Sequence, residues 1–135
     1  MATVLFSSCA NLLALANTAP ETFIRGEAGH SSVLIAEGIT FDRAFDDVVS
    51  VLFRSFELEM INKEAGYIRT AWNTFHRSGS SYRTRVTLNM SPTRNRIDIL
   101  TEAEWRNTAS AQWIRGNDTH LLETIRRDIA GNVGM

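Results

Sequence analysis

The strongest periodic pattern in the chain lies between residues 40 and 56. Its apolar residues recur at intervals of three or four positions, which places them on one face of a helix. Thr40 can cap the first turn, and Asp42 adds negative charge where the helix dipole favours it. The pattern predicts a helix whose apolar face is buried. The residues of that face are Phe41, Phe45, Val48, Val49, Leu52 and Phe56.

A period of two residues follows further along the chain. Residues 82–90 alternate between apolar or small side chains and polar ones, which predicts a strand with one solvated face. The apolar runs 32–36 and 96–100, and the aromatic and β-branched run 67–75, predict further strands. Because short turns join the last three strands, an antiparallel arrangement is expected.

A second helix is predicted near the end of the chain. Asn117, Asp118 and Thr119 can cap it, and the apolar residues that follow share one face. Residues 101–116 show no clear period and are expected to form a short helix or a packed loop. The expected fold is therefore an α+β domain: an antiparallel sheet of three to four strands with two main helices packed on one face.

Composition fits one soluble globular domain. The chain has 135 residues, of which 44% are hydrophobic and 21% charged, and its net charge is −1. A single cysteine excludes an internal disulfide framework and a cysteine-based zinc site. The three histidines share no ligand spacing, and the sequence has no phosphate-binding loop, dinucleotide fingerprint or nucleophile elbow. We therefore expect no catalytic residues, no metal, no cofactor and no small-molecule substrate.

The first sixteen residues differ from the rest, because positions 2–16 carry no charged side chain. Leu5 to Cys9 matches a bacterial lipobox, in which the chain would be cleaved before Cys9 and Cys9 would be acylated. Ala14 to Ala16 instead matches an ordinary export cleavage site. An N-terminal amphipathic or buried helix is the third interpretation. The expected organisation is a signal or helical segment at 1–16, a flexible tether at 17–31 and one α+β domain at 32–135.

An interaction surface is predicted on the solvated face of the sheet. If Ile68 and Trp72 point into the core, then Tyr67, Arg69 and Phe75 point outward, on the same side as the polar residues of 82–90. Such a surface suits an anion or a protein partner. The alternative is a solvated face on which carboxylates such as Asp98 or Glu102 neutralise the arginines. The predicted surface comprises Tyr67, Arg69, Arg83, Arg85 and Arg96.

The order of these features resembles a family of bacterial envelope proteins. The helix 40–56, the step Lys63-Glu64-Ala65-Gly66-Tyr67-Ile68, a strand with outward arginines and a final helix are similar to the small domains of the C lipoprotein of the outer-membrane β-barrel assembly machinery and its relatives. The resemblance covers residues 32–133 and is topological. It implies a non-enzymatic accessory protein that faces the periplasm and is attached to a membrane through Cys9.

The leading hypothesis is therefore an outer-membrane lipoprotein, facing the periplasm, whose domain binds a protein partner in the envelope. Two alternatives stay open. One is a cytosolic nucleic-acid-binding module that uses the arginine and aromatic face, although a net charge of −1 argues against nucleic acid as the partner. The other is a subunit of a larger complex whose apolar N-terminal helix packs into a neighbour.

Overall fold

The computed structural model describes residues 19–135, so Cys9 and the predicted segment 1–16 lie outside the described residues. The described chain forms two helices and eight strands. The helices are α1 (Phe41–Phe53) and α2 (Thr119–Val133). The strands are β1 (Phe23–Arg25), β2 (Gly29–Leu34), β3 (Leu58–Asn62), β4 (Tyr67–Thr70), β5 (Asn73–Arg77), β6 (Ser80–Met90), β7 (Arg96–Arg106) and β8 (Ile114–Asp118).

The long hairpin of β6 and β7 is the centre of a fully antiparallel sheet. Near the turn of this hairpin, β4 pairs with β6, β3 pairs with β4, and β2 pairs with β7. At the other end of the hairpin, β5 pairs with β6, β8 pairs with β7, and β1 pairs with β8. The expectation of three to four strands is therefore wrong, because each half of the hairpin recruits its own set of short neighbours.

Four segments account for the additional strands, and the first is β3 (Leu58–Asn62), for which the sequence predicted no element. β7 continues to Arg106 and β8 follows, where a short helix or packed loop was expected. The described part of 17–31, expected to be a tether, contains β1 and the first residues of β2. The run 67–75 divides into β4 and β5, which pair with different halves of β6. These short strands are held by backbone hydrogen bonds, so they form without a regular alternation of apolar and polar side chains.

The division between β4 and β5 has a local cause. Between the two pairings, the N–H of Val86 donates to the buried hydroxyl of Thr70 at 3.0 Å instead of to a strand carbonyl. The N–H of Ala71 turns away and donates to the carbonyl of Glu57 at 2.8 Å. The chain therefore leaves β6 at Ala71 and Trp72 and rejoins it at Asn73.

The two helices lie on one face of the sheet, which we call the inner face. The predicted first helix is confirmed as α1, with Thr40 accepting the N–H of Arg43 at 3.2 Å. Asp118 caps α2 by accepting the N–H of Leu121 at 3.0 Å. Both helices bury their apolar faces in a single core with the inward residues of β6 and β7. The fully buried members include Phe45, Val48, Leu52, Val86, Leu88, Ile97, Ile99 and Ile129.

Candidate partner-binding surface

The opposite face of the sheet, which we call the outer face, consists of the polar positions of the central hairpin. Arg83 and Arg85 of β6 point to this face, as the alternation predicts, because their neighbours Thr84 and Val86 are buried on the inner face. Glu102 and Glu104 of β7 stand directly opposite them in the strand register. Two cross-strand pairs of opposite charge therefore occupy the middle of the outer face.

Each pair is a hydrogen-bonded salt bridge. The Nε of Arg83 donates to Glu104 at 2.7 Å, and its Nη2 donates to the same carboxylate. Arg85 donates two hydrogen bonds of 3.1 Å to the carboxylate of Glu102, one from Nε and one from Nη2. All four side chains are less than a third exposed. Because the guanidinium groups are paired and partly shielded from water, their positions are fixed within the protein.

Two tryptophans complete the arrangement by stacking on these guanidinium groups. The Cζ of Arg83 lies 4.4 Å from the ring centre of Trp72 and 4.1 Å from that of Trp113. Arg85 continues the stack at 4.3 Å from Trp72, and Arg106 at 4.2 Å from Trp113. The order Arg106, Trp113, Arg83, Trp72, Arg85 defines what we call the Arg–Trp stack. Each guanidinium–aromatic contact contributes about 0.5–2 kcal/mol, depending on its shielding from water.

The other three residues of the predicted surface lie outside the stack. Arg69 of β4 points to the outer face but pairs with Glu59 of β3 at 2.6 Å, and this hydrogen bond raises the pKa of Arg69. Tyr67 lies at the start of β4, opposite Asn89. Arg96 pairs with Asp98 on its own strand at 3.0 Å. Neutralisation by carboxylates, the alternative interpretation of this face, therefore applies to Arg69, Arg83, Arg85 and Arg96.

Two of the expected side-chain directions in the run 67–75 are wrong. Trp72 was expected in the core, but it lies on the outer face against Arg83 and Arg85. Phe75 was expected on the outer face, but it pairs with Tyr82 and so lies on the inner side of the sheet. The break between β4 and β5 resets the alternation, and a strict period of two cannot anticipate it.

Sequence reasoning also missed Trp113, Arg106 and Glu104. Trp113 belongs to the loop between β7 and β8, in the region without a clear period. Glu104 could have been found from the alternation of Thr101 and Ala103, which are buried, with Glu102 and Glu104. This alternation is a weak signal, because the inward side chains are small. Within residues 19–135, no group of three His, Cys, Asp or Glu residues is arranged to hold a metal, and no helix is long and apolar enough to cross a membrane.

Comparison with known proteins adds no relative, because no family model and no curated protein matches this sequence.

Proposed function

We propose that this protein is a non-enzymatic accessory protein that binds a protein partner through the Arg–Trp stack on the outer face. The observation that carries the proposal is the stack itself, in which two tryptophans and three arginines are held side by side on a face that neither described helix covers. Tryptophan and arginine are the residue types most enriched at the energetic centres of protein interfaces. Such side chains contribute most to binding free energy when they are already ordered, because binding then costs less conformational entropy.

Charge favours a protein over a nucleic acid as the partner. Within the stack, two of the three guanidinium groups are already hydrogen-bonded to carboxylates, Arg83 to Glu104 and Arg85 to Glu102. A nucleic-acid site needs cationic groups that can replace phosphate counterions, whereas these groups are neutralised within the protein. The same carboxylates are committed to their arginines, which supports a binding role over acid–base catalysis.

Replacement of Trp113 tests the partner-binding proposal. Its ring is part of the stack, lies in the loop before β8 and is not part of the core beneath the helices. The assay measures how much partner protein is cross-linked to this protein in the native host. We expect Trp113→Ala to reduce that amount at least tenfold, as the truncation of a hot-spot residue does. The matched control is Phe53→Ala, which removes an exposed aromatic ring from the end of α1. Equal capture by both variants would reject the proposal. RNA affinity that falls with salt and disappears in Arg83→Ala/Arg85→Ala would favour the nucleic-acid alternative.

The proposed location is the bacterial outer membrane, with the domain facing the periplasm and Cys9 acylated. Support comes from the lipobox-like Leu5-Phe6-Ser7-Ser8-Cys9. One acyl chain anchors only marginally, so the proposal requires a multiply acylated N-terminus. Mass spectrometry of the mature N-terminus from native cells tests it directly. A diacyl- or triacylglyceryl cysteine at Cys9 is expected, and an intact, unmodified Met1 or Ala2 would refute the anchor.

A further inference from the structure

Among residues 19–135, four strands of the sheet have an unpaired edge, and they differ in how that edge is protected. β1 has only three residues. β2 is capped at its end, where the N–H of Met135 donates to the carbonyl of Leu34 at 3.2 Å. β3 has a register shift between Leu58 and Met60, an irregularity that natural sheets use to discourage further pairing. β5 has five residues in unbroken register with β6 and no such protection.

The turn between β5 and β6 determines which backbone groups of β5 face its free edge. Ser78 and Gly79 both have positive φ, 49° and 85°, as a two-residue type I′ turn requires. The flanking residues Arg77 and Ser80 of such a turn exchange backbone hydrogen bonds, and hydrogen-bonded pairs then alternate along the ladder. The N–H and C=O groups of Thr74 and His76 therefore point away from β6. Among residues 19–135 these four groups have no hydrogen-bond partner.

An apolar space lies beside this edge on the inner side of the sheet. A cavity of about 500 Å³ has apolar and aromatic walls at Pro20, Phe75, Tyr82 and Trp105, with the charged side chains of Glu21 and Arg77 also in its lining. Phe75, in the middle of β5, is 55% exposed. The wall is fixed, because the Tyr82 hydroxyl donates to Asp118 at 2.6 Å and Phe23 packs edge-on against the Tyr82 ring. A strand added to β5 would cover Phe75 and would direct alternate side chains toward this cavity.

We infer that an extended segment of the partner protein adds to the free edge of β5 as a further antiparallel or parallel strand, with an apolar residue beside Phe75. The exposed backbone groups offer donors and acceptors with which an added strand can pair, and the aromatic rings beside them favour an apolar side chain; together these are the two elements of strand-addition recognition. That the occupant is another protein rests on the proposed function. Since Thr74 pairs with Arg83, the added strand would also extend the outer face beside the Arg–Trp stack.

The experiment uses the full-length chain and a synthetic probe, the acetylated and amidated peptide Thr-Val-Thr-Phe-Thr-Val-Lys. Thr74→Pro removes one N–H from the free edge and leaves the hydrogen bonds between β5 and β6 intact, whereas Thr74→Val keeps that N–H. We expect the probe to slow amide exchange at Thr74 and His76 in wild-type protein. Probe affinity should fall at least tenfold in Thr74→Pro and stay within twofold of wild type in Thr74→Val. Circular dichroism confirms that both variants fold.

Three results would overturn the inference: equal probe affinity in the two variants, protection confined to other strands, or a wild-type dimer in sedimentation that already protects Thr74 and His76. The last result would assign the edge to a second copy of this chain. Phe53→Ala, which removes an exposed aromatic ring from α1, is the control and should leave probe affinity within twofold of wild type. Undiminished partner capture by Trp113→Ala would reject the outer-face proposal alone, and equal behaviour of the two Thr74 variants would reject strand addition alone.

Discussion

Replacement of Asp118 by alanine removes two interactions that join β8, α2 and β6. One carboxylate oxygen of Asp118 accepts the N–H of Leu121 at 3.0 Å and caps α2. The other accepts the hydroxyl of Tyr82 at 2.6 Å. Asp118 is only 9% exposed, so water cannot freely replace either bond. The variant therefore tests whether this one side chain fixes the second helix to the sheet.

The expected cost follows from the two bonds. Loss of an N-cap side chain costs about 1 kcal/mol, within a range of about 0.5–2 kcal/mol. A half-buried hydroxyl left without its acceptor costs about 1–3 kcal/mol. We therefore expect Asp118→Ala to lower the free energy of unfolding by about 2–4 kcal/mol. Tyr82→Phe removes only the second bond, so a double-mutant cycle between Asp118 and Tyr82 should give a coupling energy of about 1 kcal/mol.

Urea unfolding, followed by circular dichroism, measures these free energies. The control is Asp128→Ala on the exposed side of α2, which should change the free energy of unfolding by less than about 0.5 kcal/mol. If Asp118→Ala and Asp128→Ala were equally stable, or if the coupling energy were zero, Asp118 would not connect α2 to the sheet in the way described.

Three further predictions concern the core, a close approach of strands and pH. Leu52→Ala should cost about 2–5 kcal/mol in urea unfolding, because Leu52 is fully buried between α1 and the sheet, and a cost below about 1 kcal/mol would contradict that placement. Gly116→Ala should cost about 1–3 kcal/mol and speed amide exchange in β1, since the added Cβ would overlap the backbone carbonyl of Ile24 and lie 2.7 Å from the ring of Phe23; unchanged exchange would be the contrary result. Burial, followed by the hydrogen bond to Asp118, raises the pKa of Tyr82 above its ordinary 10.0, so the folded state keeps this proton longer than the unfolded state. The stability that this provides is complete below pH 10.0 and is lost as pH rises further, and the loss should be smaller in Tyr82→Phe when both proteins are titrated with urea at several alkaline pH values.

The elements that the sequence predicts correctly are those with a long, regular pattern. The apolar stripe from Phe45 to Leu52 and the alternation through Arg83 and Arg85 each repeat often enough to identify a helix and a strand. β8 and the first residues of β2 were missed because backbone pairing with the long hairpin defines them, and β1 was missed because it is defined by its pairing with β8. Their side chains, such as Ser31 and Gly116, carry little information about burial.

The candidate surface shows the same division. Alternation alone places Arg83 and Arg85 on the outer face. The aromatic rings that contact them come from other parts of the chain. Trp72 lies at the break between β4 and β5, which resets the alternation, and Trp113 lies in the loop between β7 and β8. Contacts of this kind depend on the tertiary fold, so no local pattern could have identified the stack.

The most direct test of the account is site-specific photo-cross-linking of the outer face in the native host. A photoreactive residue at Arg115, which is exposed on β8 and stands opposite Glu104, lies beside the Arg–Trp stack. The same residue at Arg127, exposed on α2, reports on the helical side. We expect one discrete protein adduct at Arg115, lost when Trp113→Ala is added, and none at Arg127. An adduct at Arg127 alone, or one at Arg115 that persists undiminished in Trp113→Ala, would contradict partner binding through the Arg–Trp stack.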